Sequence, residues 1–577
     1  MYTDEENILM VISLLKQHGI KQIIVSPGAT NVSFVNSIQQ DDFFEIYSCV
    51  DERSAAYMAV GLSVESGEPV VINCTGATAS RNYVPGLTEA FYRKVPILAI
   101  TSTQCVERVG HNIPQVIDRS EQFRDLVKKS VLIPRIESSE TRWANEVKIN
   151  DALLELRHAG GGPVHINLET IYSKRYGVNE LPAYRKIERF SVNDKFPEIS
   201  GDKNVLIFSG PVTYWNKSID AIVDRFCERY GAFMLCDHGS PYKGKYRFDG
   251  GIIASQDNYF PDFLSADILI HIGEISGSYY TAKADEVWRV NPDGVLRDEF
   301  RRLKYVFEMK EYDFFSKYAE TQNGKNRNSE HFRRYKEENI SLMKNLQELP
   351  FSNAWCALQT ADKLPENSVL HLGILNSLRC WNYFMVSDTV RTYSNTGGFG
   401  IDGGLSTLVG ASLIDRSKLY FGVFGDLSTF YDLNILGNRH IGNNLRILVI
   451  NNGIGTEFKN YIHAAADLGD DTDRFIAAAG HNGNKSRNLL KHFTEDLGFL
   501  YLSAENKEEY LKNLPMFICE DNDKSVIFEV FTNHENENQA LYIMRNQKHD
   551  DRIKAKKIVH SILGEKGTAI VKKMIKR

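Results

Sequence analysis

The sequence predicts an α/β protein of three α/β domains with mostly parallel sheets. Three observations carry that prediction. The 577 residues leave room for about three or four domains of roughly 150 residues each. Short apolar runs end repeatedly in glycine-containing or small polar turns, with helical patterns filling the intervals, which is the rhythm of βαβ units. The composition, 42 % hydrophobic and 25 % charged, is that of a folded globular chain.

The first domain is expected over 1–185. Residues 8–15 read as a helix ending near Gly19, and 22–25 as a strand that stops at Ser26-Pro27-Gly28. Further strands are predicted at 70–73, before Thr75-Gly76-Ala77-Thr78, at 96–100 and at 164–168. Loops at the carboxyl ends of such strands are where α/β proteins bind ligands. A middle structural domain is expected over 186–330, with strands at 204–208, 232–235, 268–272 and 287–290 and a charged, Asn-rich linker over 322–338. The third domain, 331–577, repeats the pattern with strands at 369–372, 390–393, 419–423, 447–450 and 525–530. Its tail, 552–577, carries nine Lys/Arg against Glu565 alone and reads as a solvated basic helix end.

Charge and cysteine usage narrow the function classes. With 68 Lys+Arg against 74 Asp+Glu, 68 − 74 = −6, no broad cationic surface is expected for a nucleic-acid backbone. The N-terminus, Met1-Tyr2-Thr3-Asp4-Glu5-Glu6, is acidic where a signal peptide is basic, and no apolar run reaches membrane-spanning length, so a cytoplasmic protein without membrane partners is expected. The eight cysteines never fall as C-x-x-C and read as reduced core thiols.

The strongest chemical signal opens at Gly425-Asp426-Leu427-Ser428 and closes at Asn451-Asn452-Gly453, with 24 residues between Asp426 and Asn451. A strand running into Gly-Asp and a second strand delivering Asn-Asn place a carboxylate and a carboxamide together at one sheet edge, beside a helix N-terminus. Oxygen ligands and a positive dipole end suit a magnesium ion holding a diphosphate.

This spacing resembles the diphosphate motif of thiamine diphosphate enzymes. The segment Val50-Asp51-Glu52-Arg53-Ser54-Ala55-Ala56-Tyr57 resembles the part of that superfamily carrying its catalytic glutamate. The closest wording is that of the menaquinone-pathway succinyl-enolpyruvyl-hydroxycyclohexene-carboxylate synthases, in Ser26-Pro27-Gly28, Ser394-Asn395, Gly400-Ile401-Asp402-Gly403, Leu405-Ser406-Thr407 and Tyr431-Asp432-Leu433-Asn434. The resemblance implies thiamine diphosphate and Mg2+ as cofactors, a pyrimidine-binding first domain and a diphosphate-binding third. It implies Glu52 as the carboxylate against the pyrimidine N1′, and Ile401 as the side chain that keeps the cofactor bent. Asp426, Asn452 and the Ile454 carbonyl become the metal ligands. Gly425, Leu427, Ser428, Thr75 and Gly76 become cofactor contacts, and Gln115 an active-site glutamine. It further implies a homodimer or homotetramer, with Glu52 of one chain facing Asp426 of the other.

The departures bear on substrate. That synthase family surrounds polyanionic substrates with arginines, which align here with Thr30, Gln104, Trp381 and Thr396, none of them basic. Losing a guanidinium from a buried carboxylate costs a few kcal/mol. Ser26-Pro27-Gly28-Ala29-Thr30-Asn31 resembles instead the matching loop of acetolactate-synthase-like carboligases. Substrate-facing candidates are Asn31, Gln104, His111, Gln115, Trp381 and Phe458. His111 reads equally as a loop histidine or an acid/base group. Arg81, Arg379 and Lys459 are candidates to replace the missing cations, and Trp381, Tyr383, Phe384 and Phe399 form either a substrate wall or core. The expected function is decarboxylation of a 2-oxo acid with ligation of its acyl unit to an aldehyde, ketone or sugar, with a one-carboxylate donor such as pyruvate preferred. The alternatives are the menaquinone-pathway synthase activity and a non-catalytic cofactor-binding protein, against which Glu52 argues.

Overall fold

A computed structural model describes residues 1–277, 282–320 and 329–550. It divides into two compact units, Met1–Phe196 with Val287–Glu308, and Pro197–Glu286 with Met309–Arg577.

The first unit is built on six parallel strands in the order Glu45–Ser48, Gln22–Val25, Val70–Cys74, Ile97–Thr103, Val164–Glu169, Lys129–Ile133. Its central strands are buried along their whole length because helices cover both faces. The period of two is visible in the packing. Ile23, Val25 and Val71 pack with Leu14 of the helix Glu6–Gln17 and Ile149 of the helix Ser139–Glu155. Ile24, Val70 and Ile72 pack on the opposite face with Ala55 and Ala59 of the helix Glu52–Ser66 and Leu87 of the helix Val84–Arg93. Each buried aliphatic side chain contributes roughly 1.5–3 kcal/mol, so the two faces, rather than short strands alone, hold the sheet together.

Local chemistry sets the helix that carries Glu52. Asp51, in extended conformation, accepts the Ser54 amide at 3.0 Å, and Gly67 ends the helix at φ 70°. Small residues let this helix lie close to its neighbour, since a Cβ on Gly86 would stand 2.4 Å from the Ala56 Cβ.

The second unit holds a sheet of the same order: Arg391–Ser394, Val369–Leu372, Tyr420–Gly425, Leu445–Asn451, Val526–Phe531, Leu500–Ala504. Counted from its own first strand, each six-stranded sheet runs 2-1-3-4-6-5. The chain therefore turns to opposite sides of its first strand, and a crevice opens between the carboxyl ends of strands one and three. The middle of the chain is parallel as well. In the second unit the order is Arg247–Asp249, Phe233–Cys236, Val205–Ser209, Ser265–Ile272. In the first unit the residues Val287 to Val290 pair with Leu303–Glu308, which pairs with Glu188–Ser191.

The expected strands are all present, with ends shifted by a few residues. The linker expectation needs correction: the helix Glu330–Lys344 occupies its second half, starting where the Ser329 hydroxyl accepts the Phe332 amide at 3.1 Å. Its first half and the basic tail lie outside the described residues. All eight cysteines are free thiols, but Cys49, Cys105 and Cys519 are partly exposed rather than in the core. Among the described residues, no helix is long and apolar enough to cross a membrane.

Candidate active site

In the second unit the crevice between strands one and three is a cavity of about 210 Å³. The parallel register, Gly425 opposite Ile450, makes Asp426 and Asn452 leave adjacent strands side by side. Asp426 starts the six-residue helix Asp426–Tyr431. Its Oδ1 accepts the Leu427 amide and its Oδ2 the Gly453 amide, both at 2.8 Å. Burial pushes this carboxyl up to about 6, against the pull of those two N–H groups. Asn451, the other member of the pair, turns away and donates to Glu529 at 2.6 Å. The Ser428 hydroxyl donates to the Ile401 carbonyl at 2.5 Å, and Asp432 accepts the Ser406 amide and hydroxyl, both at 2.6 Å, so the 401–407 turn is tied to the helix that follows Gly425.

Eight expected residues line this cavity together: Ile401, Gly425, Asp426, Leu427, Ser428, Asn452, Ile454 and Phe458. Reading by residue type missed others on the same wall. Leu375 holds φ 64°, a conformation L residues rarely adopt, in the loop after the first strand of this sheet. Glu537 is buried and pushed up to about 7 by that burial, and it accepts the Asn353 amide at 3.0 Å and the Thr532 hydroxyl at 2.7 Å. A Leu before a short helix and a Glu in a polar helical turn carry no sequence mark of a cavity wall. Asp426, Asn452 and the Ile454 carbonyl offer carboxylate, carboxamide and backbone oxygens, a donor set that suits a hard divalent cation.

In the first unit the expected residues lie along the carboxyl edge of its sheet. Glu52 follows the strand Glu45–Ser48 and is half-exposed, accepting the Asn82 amide nitrogen at 3.2 Å. Thr75 and Gly76 follow Val70–Cys74, and the Thr75 and Thr30 hydroxyls are hydrogen-bonded to each other. A Cβ on Gly28 would meet the Thr75 Cβ at 2.6 Å, which is why that turn needs glycine. Asn31 is 1 % exposed and donates both amide hydrogens inward, to the Ser26 carbonyl and the Asn73 Oδ1, each at 2.9 Å. Gln104 donates to the Tyr172 hydroxyl at 3.0 Å and accepts from Arg108 at 2.6 Å. His111 and Gln115 are exposed on the loop that follows, where Gln115 adopts φ 64°.

The aromatic and cationic candidates resolve differently. Trp381 is 1 % exposed, donates to Asn353 at 3.2 Å and does not line the cavity, while Tyr383 and Phe384 are buried beside it, so these three are core. Phe399 alone of the four is exposed. Arg379 is committed to Glu457 through two bonds of 2.8 and 2.9 Å, with a third, of 2.9 Å, to Asn376. Lys459 pairs with Asp473 and donates to the Gly469 carbonyl at 2.8 Å. Arg81 donates to the Asp118 carbonyl at 2.9 Å.

Residues 9–122 match the thiamine pyrophosphate enzyme, N-terminal TPP binding domain family. Fold, motif spacing and this match define a thiamine pyrophosphate-dependent enzyme. A 2-succinyl-5-enolpyruvyl-6-hydroxy-3-cyclohexene-1-carboxylate synthase of Bacteroides fragilis is 31% identical over 568 residues, covering 94% of this chain and 98% of that protein. Its Bacteroides thetaiotaomicron counterpart is 31% identical over 572 residues, with the same coverage. The chain belongs to the family of these synthases. Among solved structures, a Rhodococcus jostii thiamine diphosphate-dependent 4-hydroxybenzoylformate decarboxylase matches 91% of this chain and 99% of that one at 17% identity and TM-score 0.40.

The Arg379–Glu457 pair generates a prediction. With side-chain exposures of 3% and 18%, replacing Arg379 by Met strands a carboxylate at the cavity wall and should cost about 3–5 kcal/mol in denaturant unfolding. Arg379→Met with Glu457→Gln should recover most of that loss.

Proposed function

We propose that the chain decarboxylates a 2-oxo acid and ligates the acyl unit to an acceptor, the reaction type of its 2-succinyl-5-enolpyruvyl-6-hydroxy-3-cyclohexene-1-carboxylate synthase relatives. The observation that carries this is the similarity to those synthases over 94% of the chain, with eight expected residues gathered on one cavity. Bound thiamine diphosphate would supply a nucleophilic thiazolium carbon and an electron sink for carbon dioxide loss. Asp426, Asn452 and the Ile454 carbonyl would hold a magnesium ion against the diphosphate, and Ile401 would support the bend of the cofactor. Glu52 would hold a proton at the pyrimidine N1′, with Asn82 fixing its orientation. Gln115 and His111, with Asn31, Gln104 and Phe458, are proposed toward substrate; Asn31 would act through the loop it pins. A homodimer or homotetramer in the cytoplasm completes the proposal.

A second reading is favoured by one observation. Arg379 and Lys459 are each paired with a carboxylate, so neither is a ready partner for a second substrate carboxylate. On this reading the donor has one carboxylate, such as pyruvate, and the acceptor is an aldehyde, ketone or sugar. Carbon dioxide release from a panel of 2-oxo acids, with and without acceptors, separates the two. Turnover of 2-oxoglutarate with isochorismate faster than any pyruvate reaction supports the synthase reading, and the reverse order supports the second. Release from no 2-oxo acid removes both.

Two site predictions follow from the geometry. The Asp426 carboxyl is raised from 3.8 to about 6, so without a cation its neutral form is favoured at low pH and that stabilisation is lost as pH rises through about 6. Magnesium competes with this proton, and calorimetry should show cofactor-dependent metal affinity falling about tenfold per pH unit below that value and level above it. Glu52→Gln should retain thiamine diphosphate while slowing exchange of its C2 proton by orders of magnitude, because an amide cannot share a proton with N1′. Deuterium-quench NMR reads that rate, and an unchanged value removes Glu52 from the mechanism.

A further inference from the structure

One buried cation in the first unit is unused by the proposed chemistry. Arg119 is 4 % exposed at the carboxyl edge of the sheet. Its Nη2 donates to the Asn167 Oδ1 at 2.9 Å and the Ser102 carbonyl at 3.3 Å. Its Nε and Nη1 have no partner among the described residues. Arg81 donates to the Asp118 carbonyl and feels the charge of the Asp118 carboxylate, whereas Arg119 forms no ion pair with a carboxylate among the described residues. An unpaired charge in a protein interior costs several kcal/mol unless an opposite charge joins it.

The surroundings are arranged for that opposite charge. Arg119 and Arg81 share a small cavity with Ser80, Thr101, Gln122 and His165, and no acidic residue lines it. His165 stands between the Thr101 and Ser130 hydroxyls, 2.7 Å from each. Burial first, then the charges of Arg119 and Arg81, push it down to about 3, so it is neutral and adds no third positive charge. The cavity measures about 10 Å³, the space of one water-sized occupant. A tetrahedral phosphate or sulfate is too large for it. The cation also abuts the Thr75–Gly76 turn, since a Cβ on Gly76 would lie 3.0 Å from the Arg119 Nη1.

We propose that Arg119 and Arg81 form a binding site for one small monatomic anion, a halide, beneath the Thr75–Gly76 turn. The site stands on its own geometry and not on the proposed reaction, so its test needs neither cofactor nor turnover.

The full chain is equilibrated in chloride-free buffer and titrated with sodium bromide, with sodium sulfate keeping ionic strength constant. A saturable rise in thermal midpoint is expected for bromide in the wild type. In Arg81→Met, an exposed position that leaves the interior intact, bromide affinity should fall at least about tenfold, the loss of one charge-assisted hydrogen bond. Crystals soaked in bromide should show an anomalous peak within hydrogen-bond distance of the Arg119 Nη1. Pyruvate, larger than sulfate, should neither raise the midpoint nor displace bromide, and displacement of bromide by pyruvate overturns the halide assignment. A bromide response no greater than that to sulfate, or no peak at Arg119, overturns the proposal.

Discussion

The candidate site depends on one hydrogen bond, from the Gly453 amide to the Asp426 carboxylate. It joins the ends of two neighbouring parallel strands, and it forms because their register sets Gly425 opposite Ile450. A one-residue slip would turn every side chain of a strand to the other face, so the fully buried run 445–451 that locks the register also places the carboxylate. The geometry of the candidate site is a by-product of core packing at a distance of a few residues.

The same economy recurs in the strand order. Two sheets with dissimilar sequences share the order 2-1-3-4-6-5. Each opens a crevice between the carboxyl ends of strands one and three. In the first unit polar side chains bridge the two strand ends, Thr30 to Thr75 and Asn31 to Asn73. In the second the crevice is a cavity. Loop chemistry, and not topology, separates the strand ends of the two sheets. Backbone strain gathers at both edges, with Ala77 at φ 55° in one and Leu375 at φ 64° in the other.

Most of this was legible in the residues. Central strands show as nearly continuous apolar runs because both faces are covered, and 70–72 and 447–450 are examples. The strands that escaped notice are mainly those at an end of the pairing order: Glu45–Ser48, Lys129–Ile133, Glu188–Ser191, Arg247–Asp249 and Leu500–Ala504. They have at most one covered neighbour, so their burial is mixed and their apolar signal weak. The Gly-Asp and Asn-Asn pairs were legible through their spacing, although Asn451 itself turns away to Glu529. The partners of charged residues were not. Nothing local in Arg379 announces that Glu457, 78 positions later, takes its charge, and nothing in Trp381 distinguishes a wall from a core. Arg119 sits in a polar stretch, and only the fold reveals that it is buried.

The Arg379–Glu457 clasp also shapes how this chain can change. Its two partners lie on separate elements, the helix Asn376–Trp381 and the turn Thr456–Lys459. A lineage that recruits Arg379 for a new substrate must first alter Glu457, because that carboxylate loses its cation at the cavity wall. Such epistasis makes the charge pattern of this wall historical: two descendants of one ancestor can hold the same fold and motif yet be unable to exchange specificities by single steps, and chimeras of them should be planned with both elements moved as one block.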